Sequence, residues 1–287
     1  MEFLGKIIQF FASEMNTPTN FGWFHLMFIF LAITATVLVC VFLRDANEKT
    51  FRIILFACWA VMFCFEIYKQ LINSFSYDAE NNKIIFDYVW RTFPFQLCST
   101  PLYVLPFIVF LPKGHVRDAM MAFMAFFSLF GGLGVFAYPG NVFIETIGIN
   151  IQTMVHHGLQ VVLGIYIAVY TRKKLGIMYF LKGAIVFVAL LAIALVMNVI
   201  GYHALVAAGA DMELSKNRFN MFYVGPYHQC QELPILMDIH PIVGPVWFIL
   251  IYLIGFLGIG MLIFGVTIGI VAFVHLIKKA VEKSCKV

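Results

Sequence analysis

Long apolar stretches alternate with short polar connections along most of the chain. A helix needs about 20 mostly apolar residues to cross the hydrocarbon layer of a bilayer. The pattern therefore predicts an all-α, polytopic membrane protein, a bundle of about seven transmembrane helices that forms a single domain over residues 1–287. The predicted spans are residues 22–43, 53–75, 92–112, 119–138, 150–170, 178–203 and 244–275. Residues 204–243 form the longest connection, which we interpret as a structured or partly re-entrant outer loop.

Composition supports the same class of protein. The chain is 62% hydrophobic and 12% charged, whereas soluble domains are about 45–50% apolar and about 25% charged. The formal net charge of +4 is small, and the basic residues lie at predicted helix ends, so no nucleic-acid partner is expected. The cysteines and histidines lack the spacing of a zinc site, so we expect no metal and no other cofactor.

Lysine and arginine are divided unevenly between the two sides of the predicted bundle. One side has twelve of them, and the other has five. The richer side consists of Arg44, Lys49, Arg52, Lys113, Arg117, Arg172, Lys173, Lys174, Lys278, Lys279, Lys283 and Lys286. Because basic residues accumulate in cytoplasmic loops, the count predicts a multi-pass protein of the cell membrane with its N-terminus outside and its C-terminus in the cytoplasm.

Several polar residues fall within the predicted spans, where polar groups usually face a cavity or a substrate path. They are His25, Glu66, Gln96, Cys98, Gln152, His156, His157, Gln160 and Asn198. A helical rise of about 1.5 Å per residue puts Cys98 at about 9 Å, His157 at about 10 Å and Glu66 at about 13 Å from the outer helix ends. The whole set lies in the outer half of the membrane, which predicts one polar cavity open to the outer face.

Cys98 lies between Pro94 and Pro101. Proline removes a backbone donor and interrupts the helical hydrogen bonds, and a thiol beside unpaired amides could have its thiolate stabilised. A buried cysteine can equally be a small apolar packing residue, and the pattern leaves both interpretations open.

His156 and His157 lie on two overlapping polar stripes of the fifth predicted span, one with Thr153 and Gln160 and one with Gln152 and Gln160. This clustering favours a site over simple packing, but the spacing does not choose between the two histidines. Glu66 has Lys69 three residues on. It is either an internally paired carboxylate or the orienting partner of a cavity histidine, and both interpretations predict that it faces the bundle.

The motif Phe93-Pro94-Phe95-Gln96-Leu97-Cys98-Ser99, followed by His157-Gly158-Leu159, resembles the YwaF family of bacterial integral membrane proteins. An animal relative of that family is known as a phospholipid acyltransferase with a Cys/His pair. The resemblance implies that Cys98 is the nucleophile and His157 its base. Many relatives have histidine where Gln96 stands, which removes any acid–base role at that position. The further residues expected to line the binding site are His25, Glu66, Gln96, His156, Gln160, Asn198 and Asn220.

Two classes of function fit these observations. The first is a membrane-embedded lipid acyltransferase or acyl hydrolase, in which Cys98 forms an acyl-thioester with His157 as base, with membrane lipids as substrates. The second is a transporter or receptor-like membrane protein that binds a small polar solute in the outward-facing cavity. The sequence shows no internal repeat of the kind common in transporters.

The charge count makes a direct prediction about topology. In intact cells, an epitope tag after Val287 should resist external protease, and a tag before Glu2 should be removed. The opposite pattern would reverse the orientation and place the polar cavity on the cytoplasmic side.

Overall fold

A computed structural model describes residues 2–140, 142–230 and 233–284, with side chains described as far as residue 277. Its described residues form helices almost throughout. The α-helices are α1 (Glu2–Phe11), α2 (Trp23–Phe42), α3 (Glu48–Ser74), α4 (Pro101–Phe110), α5 (His115–Phe123), α6 (Leu129–Ala137), α7 (Ile147–Tyr170), α8 (Ile177–Ala207) and α9 (Leu236–Ser284). A π-helical turn, Met124–Ser128, joins α5 to α6 into one continuous rod.

Six helical segments are long and apolar enough to cross a membrane, which confirms the polytopic all-α bundle. They are Trp23–Phe42, Glu48–Ser74, His115–Ala137, Ile147–Tyr170, Ile177–Ala207 and Leu236–Ile277. The boundaries differ from the predicted ones by a few residues at most ends. The largest difference is in the last span, which begins before residue 244 and bends at Gly244, where φ is +71°.

The third predicted span, 92–112, is not a complete helix. Its first half consists of two short 3₁₀ turns, Trp90–Thr92 and Leu97–Ser99, and only α4 is α-helical. Pro101 stands in the first turn of α4, where proline fits because its missing N–H would have no helical partner. The ten residues of α4 rise only about 15 Å. Residues 93–100, which contain one 3₁₀ turn and no α-helix, make up the other half of the predicted span.

A β-hairpin follows α3 and was not anticipated. Strand β1 (Phe75–Asp78) pairs antiparallel with β2 (Lys83–Phe86), and Phe75 lies opposite Phe86. The Asp78 carboxylate accepts hydrogen bonds from the turn residues Glu80 and Asn81. The side-chain and backbone hydrogen bonds from Asn81 hold the pKa of Asp78 below its ordinary value, because they stabilise the ionised carboxylate.

Three connections lie at one end of the bundle, where ion pairs join them to each other and to α5. Arg172 pairs with Asp45, and Lys174 bonds Asp118 at 2.7 Å. We call residues 44–47, 111–114 and 171–176 the basic end. Residues 75–96 and 208–235 meet at the opposite end, the loop end, where Lys216 pairs with Asp87. The basic connections therefore share one end of the bundle, as the charge pattern requires.

Glycines allow the closest approach of α6 to α7. A Cβ on Gly132 would lie 2.7 Å from the carbonyl oxygen of His157 and 2.9 Å from Val161 Cγ2. A Cβ on Gly134, in the same helix, would meet no described atom within 4 Å. The backbone of α6 can therefore contact α7 at the level of His157 only because residue 132 has no side chain.

These two glycines give a matched test of the packing. Gly132→Ala should lower the free energy of unfolding by roughly 1–3 kcal/mol, because the new methyl group forces the two backbones apart. Gly134→Ala should be neutral or stabilising by roughly 0.4–1 kcal/mol. Thermal unfolding of the detergent-solubilised protein measures both, and equal destabilisation by the two variants would contradict this packing.

Candidate functional site

Cys98 lies where the third crossing of the membrane changes from irregular backbone to helix. It is the middle residue of the 3₁₀ turn Leu97–Ser99 and is half-buried. The carbonyl of Leu97 accepts from the Thr100 hydroxyl at 2.6 Å and from the Thr100 backbone N–H at 3.3 Å. Irregular backbone at membrane depth occurs only where protein buries it or where it lines a cavity, so this turn marks a candidate site.

His156 contacts the residue that carries the thiol. Its Nε2 lies 2.9 Å from the carbonyl oxygen of Cys98. Because a carbonyl oxygen can only accept, Nε2 must carry the hydrogen, and the Nδ1 of the neutral ring is then an acceptor. That Nδ1 is buried and has no hydrogen-bond partner among the described residues.

His157 has the opposite tautomer, with the hydrogen on the other ring nitrogen. Its Nδ1 lies 2.7 Å from the carbonyl oxygen of Thr153, one turn earlier in α7, so Nδ1 carries the hydrogen and Nε2 is the acceptor. The two imidazole centroids are 5.6 Å apart. Each ring therefore keeps one nitrogen with an available lone pair, and His156 is the one in hydrogen-bond contact with residue 98.

An ion pair stands beside this cluster. Glu66 is 5% exposed, and its Oε1 accepts from Lys69 Nζ at 2.8 Å and from Gln70 Nε2 at 2.7 Å. Glu66 thus faces the bundle, as both sequence interpretations required.

Gln160 and Gly131 close the site on the α6 side. Gln160 is fully buried, and its Nε2 donates to Ser128 Oγ at 3.0 Å. A Cβ on Gly131 would lie 3.0 Å from Gln160 Nε2 and 3.5 Å from the Cα of Cys98. Sequence reasoning missed Gly131, although the run of glycines in the fourth predicted span could have indicated a close approach.

His25 belongs to neighbouring aromatic surroundings. It is fully buried at the start of α2, and its Nδ1 accepts from the backbone N–H of Phe21 at 3.1 Å. The ring lies 5.6 Å from Phe143 and 6.3 Å from Phe136, between centroids. Its described contacts are therefore with these aromatic residues and not with the segment around Cys98.

Asn198 and Asn220 brace the loop end. Asn198 donates to the carbonyl of Met221 at 2.9 Å and accepts from its N–H at 2.6 Å. Asn220 accepts from the N–H of Gly225 at 2.7 Å, and its carbonyl accepts from Gln96 Nε2 at 2.9 Å. Both asparagine amides serve the backbone of the loop, so these two residues position the site and Gln96 connects them to the Cys98 segment.

A polar pocket opens next to Gln96 at the loop end. Its volume is about 20 Å³, which is room for about one water molecule. The pocket is lined by Arg91, Gln96, Arg218, Asn220, Tyr223, His228 and Gln229. Burial, with a smaller contribution from the charge of Arg218, lowers the pKa of His228. Sequence reasoning did not single out either arginine, although both stand within a few residues of predicted site positions.

In the part of the chain that the structure describes, no group of three or more His, Cys, Asp or Glu side chains is placed to hold a metal ion. The fold and the site together define a polytopic helical membrane protein. Its candidate site contains a thiol, two imidazoles and an ion pair, near the irregular segment that precedes α4. The chain belongs to the TMEM164 family, whose sequence profile matches residues 20–267 and so includes all the site residues. No curated protein and no solved structure matches the chain.

The Asn198 brace can be tested by substitution. Asn198→Ala would leave the buried N–H of Met221 without its partner, and its C=O with only the 3.4 Å bond from the Val224 N–H. It should lower the free energy of unfolding by roughly 1–3 kcal/mol. Asn16→Ala, at an exposed position, should stay within about 0.5 kcal/mol of the parent protein. Thermal unfolding and limited proteolysis of residues 208–235 would report the difference, and a loop no more cleavable in Asn198→Ala would argue against the brace.

Proposed function

We propose that this chain is a membrane-embedded lipid acyltransferase or acyl hydrolase that works through an acyl-thioester on Cys98. The observation that carries the proposal is the contact of His156 Nε2 with the backbone carbonyl of Cys98, which leaves Nδ1 of the same ring as a buried acceptor without a described partner. Membership of the TMEM164 family and the resemblance of the cysteine motif to the YwaF family are consistent with it.

The reaction divides into two balanced steps. A neutral histidine takes the thiol proton, and the thiolate attacks the ester carbonyl of a membrane lipid. The C–O bond then breaks, the leaving alkoxide receives the proton from the imidazolium, and the acyl group stays on sulfur. In the second step an alcohol or water attacks the thioester and restores the thiol. Neither step requires a metal or a soluble cofactor.

The histidine that acts as base is assigned from contact. The family resemblance implies His157, but His156 is the ring in hydrogen-bond contact with residue 98. The thiol and this carbonyl belong to the same residue, and the nitrogen that would accept the thiol proton is Nδ1, because Nε2 carries the hydrogen bonded to the carbonyl. Catalytic hydrogen bonds are often long or misaligned before substrate binds. We therefore propose His156 as the base and keep His157 as the second candidate.

Lys69 is the electrostatic partner of this chemistry. A cation stabilises both a thiolate and the oxyanion of a tetrahedral intermediate, and Lys69 is the cation that the buried Glu66 carboxylate holds at 2.8 Å. Glu66 and Gln70 fix its surroundings, since Glu66 binds both Lys69 and Gln70. We propose Glu66 as a positioning residue for Lys69, on the side of the membrane that the charge count assigns to the outside.

A second candidate function also has an observation behind it. Five of the expected site residues have a buried polar atom with no hydrogen-bond partner among the described residues: His25 Nε2, Glu66 Oε2, Gln96 Oε1, His156 Nδ1 and Gln160 Oε1. Such atoms are where a small polar solute would bind in a transporter or receptor-like protein, with no covalent step at Cys98.

Covalent labelling separates the two functions. A lipid-like electrophile should label the purified protein at Cys98, and Cys98→Ser should abolish this labelling. His156→Ala should slow it by roughly 100-fold or more, in the range of general-base contributions. If His157 is the base instead, His157→Ala will show the larger loss.

Cys64→Ser is the matched control, because Cys64 is an exposed cysteine of α3 and its loss should leave labelling unchanged. Thermal unfolding should show that all variants remain folded. Labelling of Cys98 at an unchanged rate in both histidine variants would exclude a histidine base and favour the solute-binding protein.

A further inference from the structure

We propose that α1 is an interfacial helix that lies in the surface of the leaflet at the loop end, with its apolar face inserted among the lipid molecules. The inference stands apart from the proposed acyl chemistry. It concerns a segment outside residues 20–267, so the match to the TMEM164 family does not extend to it. The ten residues of α1 rise only about 15 Å, which is too short to cross a bilayer.

The side chains of α1 are sorted by direction around the helix axis. Its exposed large apolar residues are Phe3, Leu4, Ile7, Phe10 and Phe11. At about 100° per residue, these five side chains share a sector of roughly 120°. The polar residues Glu2, Lys6 and Gln9 occupy a different sector of the same helix. A short helix with one apolar face and one polar face is the kind that lies in the plane of a membrane surface.

Contacts place α1 at the level where the membrane-crossing helices end. The Tyr68 hydroxyl of α3 donates to the carbonyl of Phe11 at 2.7 Å. Tyr68 precedes Ser74, the last residue of α3, by a helical rise of about 9 Å. A Cβ on Gly148, in the first turn of α7, would lie 1.8 Å from the same hydroxyl oxygen. The end of α1 is therefore at the depth where α7 enters the membrane, which is the boundary that interfacial helices occupy.

The protein holds the opposite side of α1. Gly5 is its buried residue, and a Cβ there would lie 2.4 Å from the ring of Tyr77 in β1. Gly5 and Ile7 point about 160° apart around the helix axis. The contact with the hairpin therefore turns the apolar face of α1 away from the protein.

The apolar face continues a surface that faces lipid. Ile67 and Leu71, on either side of Tyr68 in the sequence, are exposed residues of the membrane-crossing helix α3. Phe11 packs edge-to-face on Tyr68, with 5.9 Å between ring centroids. Phe3 and Phe10 at the free face are 75% and 73% exposed. Because the neighbouring surface of α3 is covered by lipid, the same bilayer is the occupant that we assign to the face of α1.

Charge does not attract α1 to the membrane. Residues 2–11 contain one acidic and one basic side chain, and Glu2 and Lys6 pair with each other at 2.7 Å. Attraction to anionic headgroups requires an excess of lysine or arginine. Insertion is therefore driven by apolar burial, and we expect it in neutral and anionic membranes alike.

Photocrosslinking of the whole chain in phosphatidylcholine vesicles tests the orientation. Benzoylphenylalanine replaces either Phe10 or Gln9, which are neighbouring exposed positions that point about 100° apart. Irradiation should attach lipid acyl chains mainly at position 10, and position 9 is the matched control. Addition of an anionic lipid to the vesicles should leave this difference unchanged.

Amide hydrogen exchange gives an independent measurement in the same vesicles. Phe10→Ala should raise the exchange of residues 2–11 by roughly tenfold or more, because an aromatic ring is lost from the apolar environment. Gln9→Ala should leave that exchange unchanged. Both variants introduce the same helix-favouring residue, so helix propensity does not account for a difference between them.

Three results would overturn the proposal: equal lipid adducts at positions 9 and 10, adducts from position 10 to a second copy of the chain, or equal exchange in the two alanine variants. A lipid adduct that forms only with anionic lipid would also contradict it, because headgroup charge and not the apolar face would then hold the helix.

Discussion

Every backbone N–H and C=O within the hydrocarbon must find a partner in the protein, because lipid offers none. The usual way to provide these partners is a continuous α-helix. The third predicted span departs from it, because residues 93–100 are not α-helical. Some of its carbonyls accept from backbone N–H groups, as Gln96 does from Ser99, and side chains add to these bonds: the Thr100 hydroxyl binds Leu97, and His156 binds Cys98. The polar residues of α3 and α7 are thus a structural requirement of the break, and the rest of the site is arranged around meeting it.

The same requirement leaves polar atoms without partners at the candidate site. A bifunctional side chain that satisfies a carbonyl with one atom presents its other atom to the interior. His156 does this with Nδ1 and Gln96 with Oε1, and both atoms are buried without a described partner. An apolar core would have no such groups. The irregular backbone of residues 93–100 is therefore one physical reason for the polar side chains inside the bundle.

Sequence patterns predicted the helices and the existence of the site better than its internal contacts. Apolar length located the six long helices, and helical spacing put His156 and Gln160 on one stripe, which the structure turns toward Cys98 and α6. Depth could not choose between His156 and His157, because neighbouring helical residues have almost the same depth and point about 100° apart. The pairing of Asn198 with Met221 and the pocket around Arg91 depend on long-range loop contacts, which no local pattern encodes.

The shortness of α4 has a consequence for the two sides of the membrane. Of a hydrocarbon thickness of about 30 Å, α4 covers about 15 Å from the basic end, so Cys98 lies in the half nearer the loop end. Lipid esters sit at the surface of their own leaflet, and a thiol at that depth meets only those of the nearer one. Acyl exchange there would change the lipid composition of a single leaflet. Lipids of the other leaflet would change only by flip-flop, so the two leaflets would differ in their acyl chains.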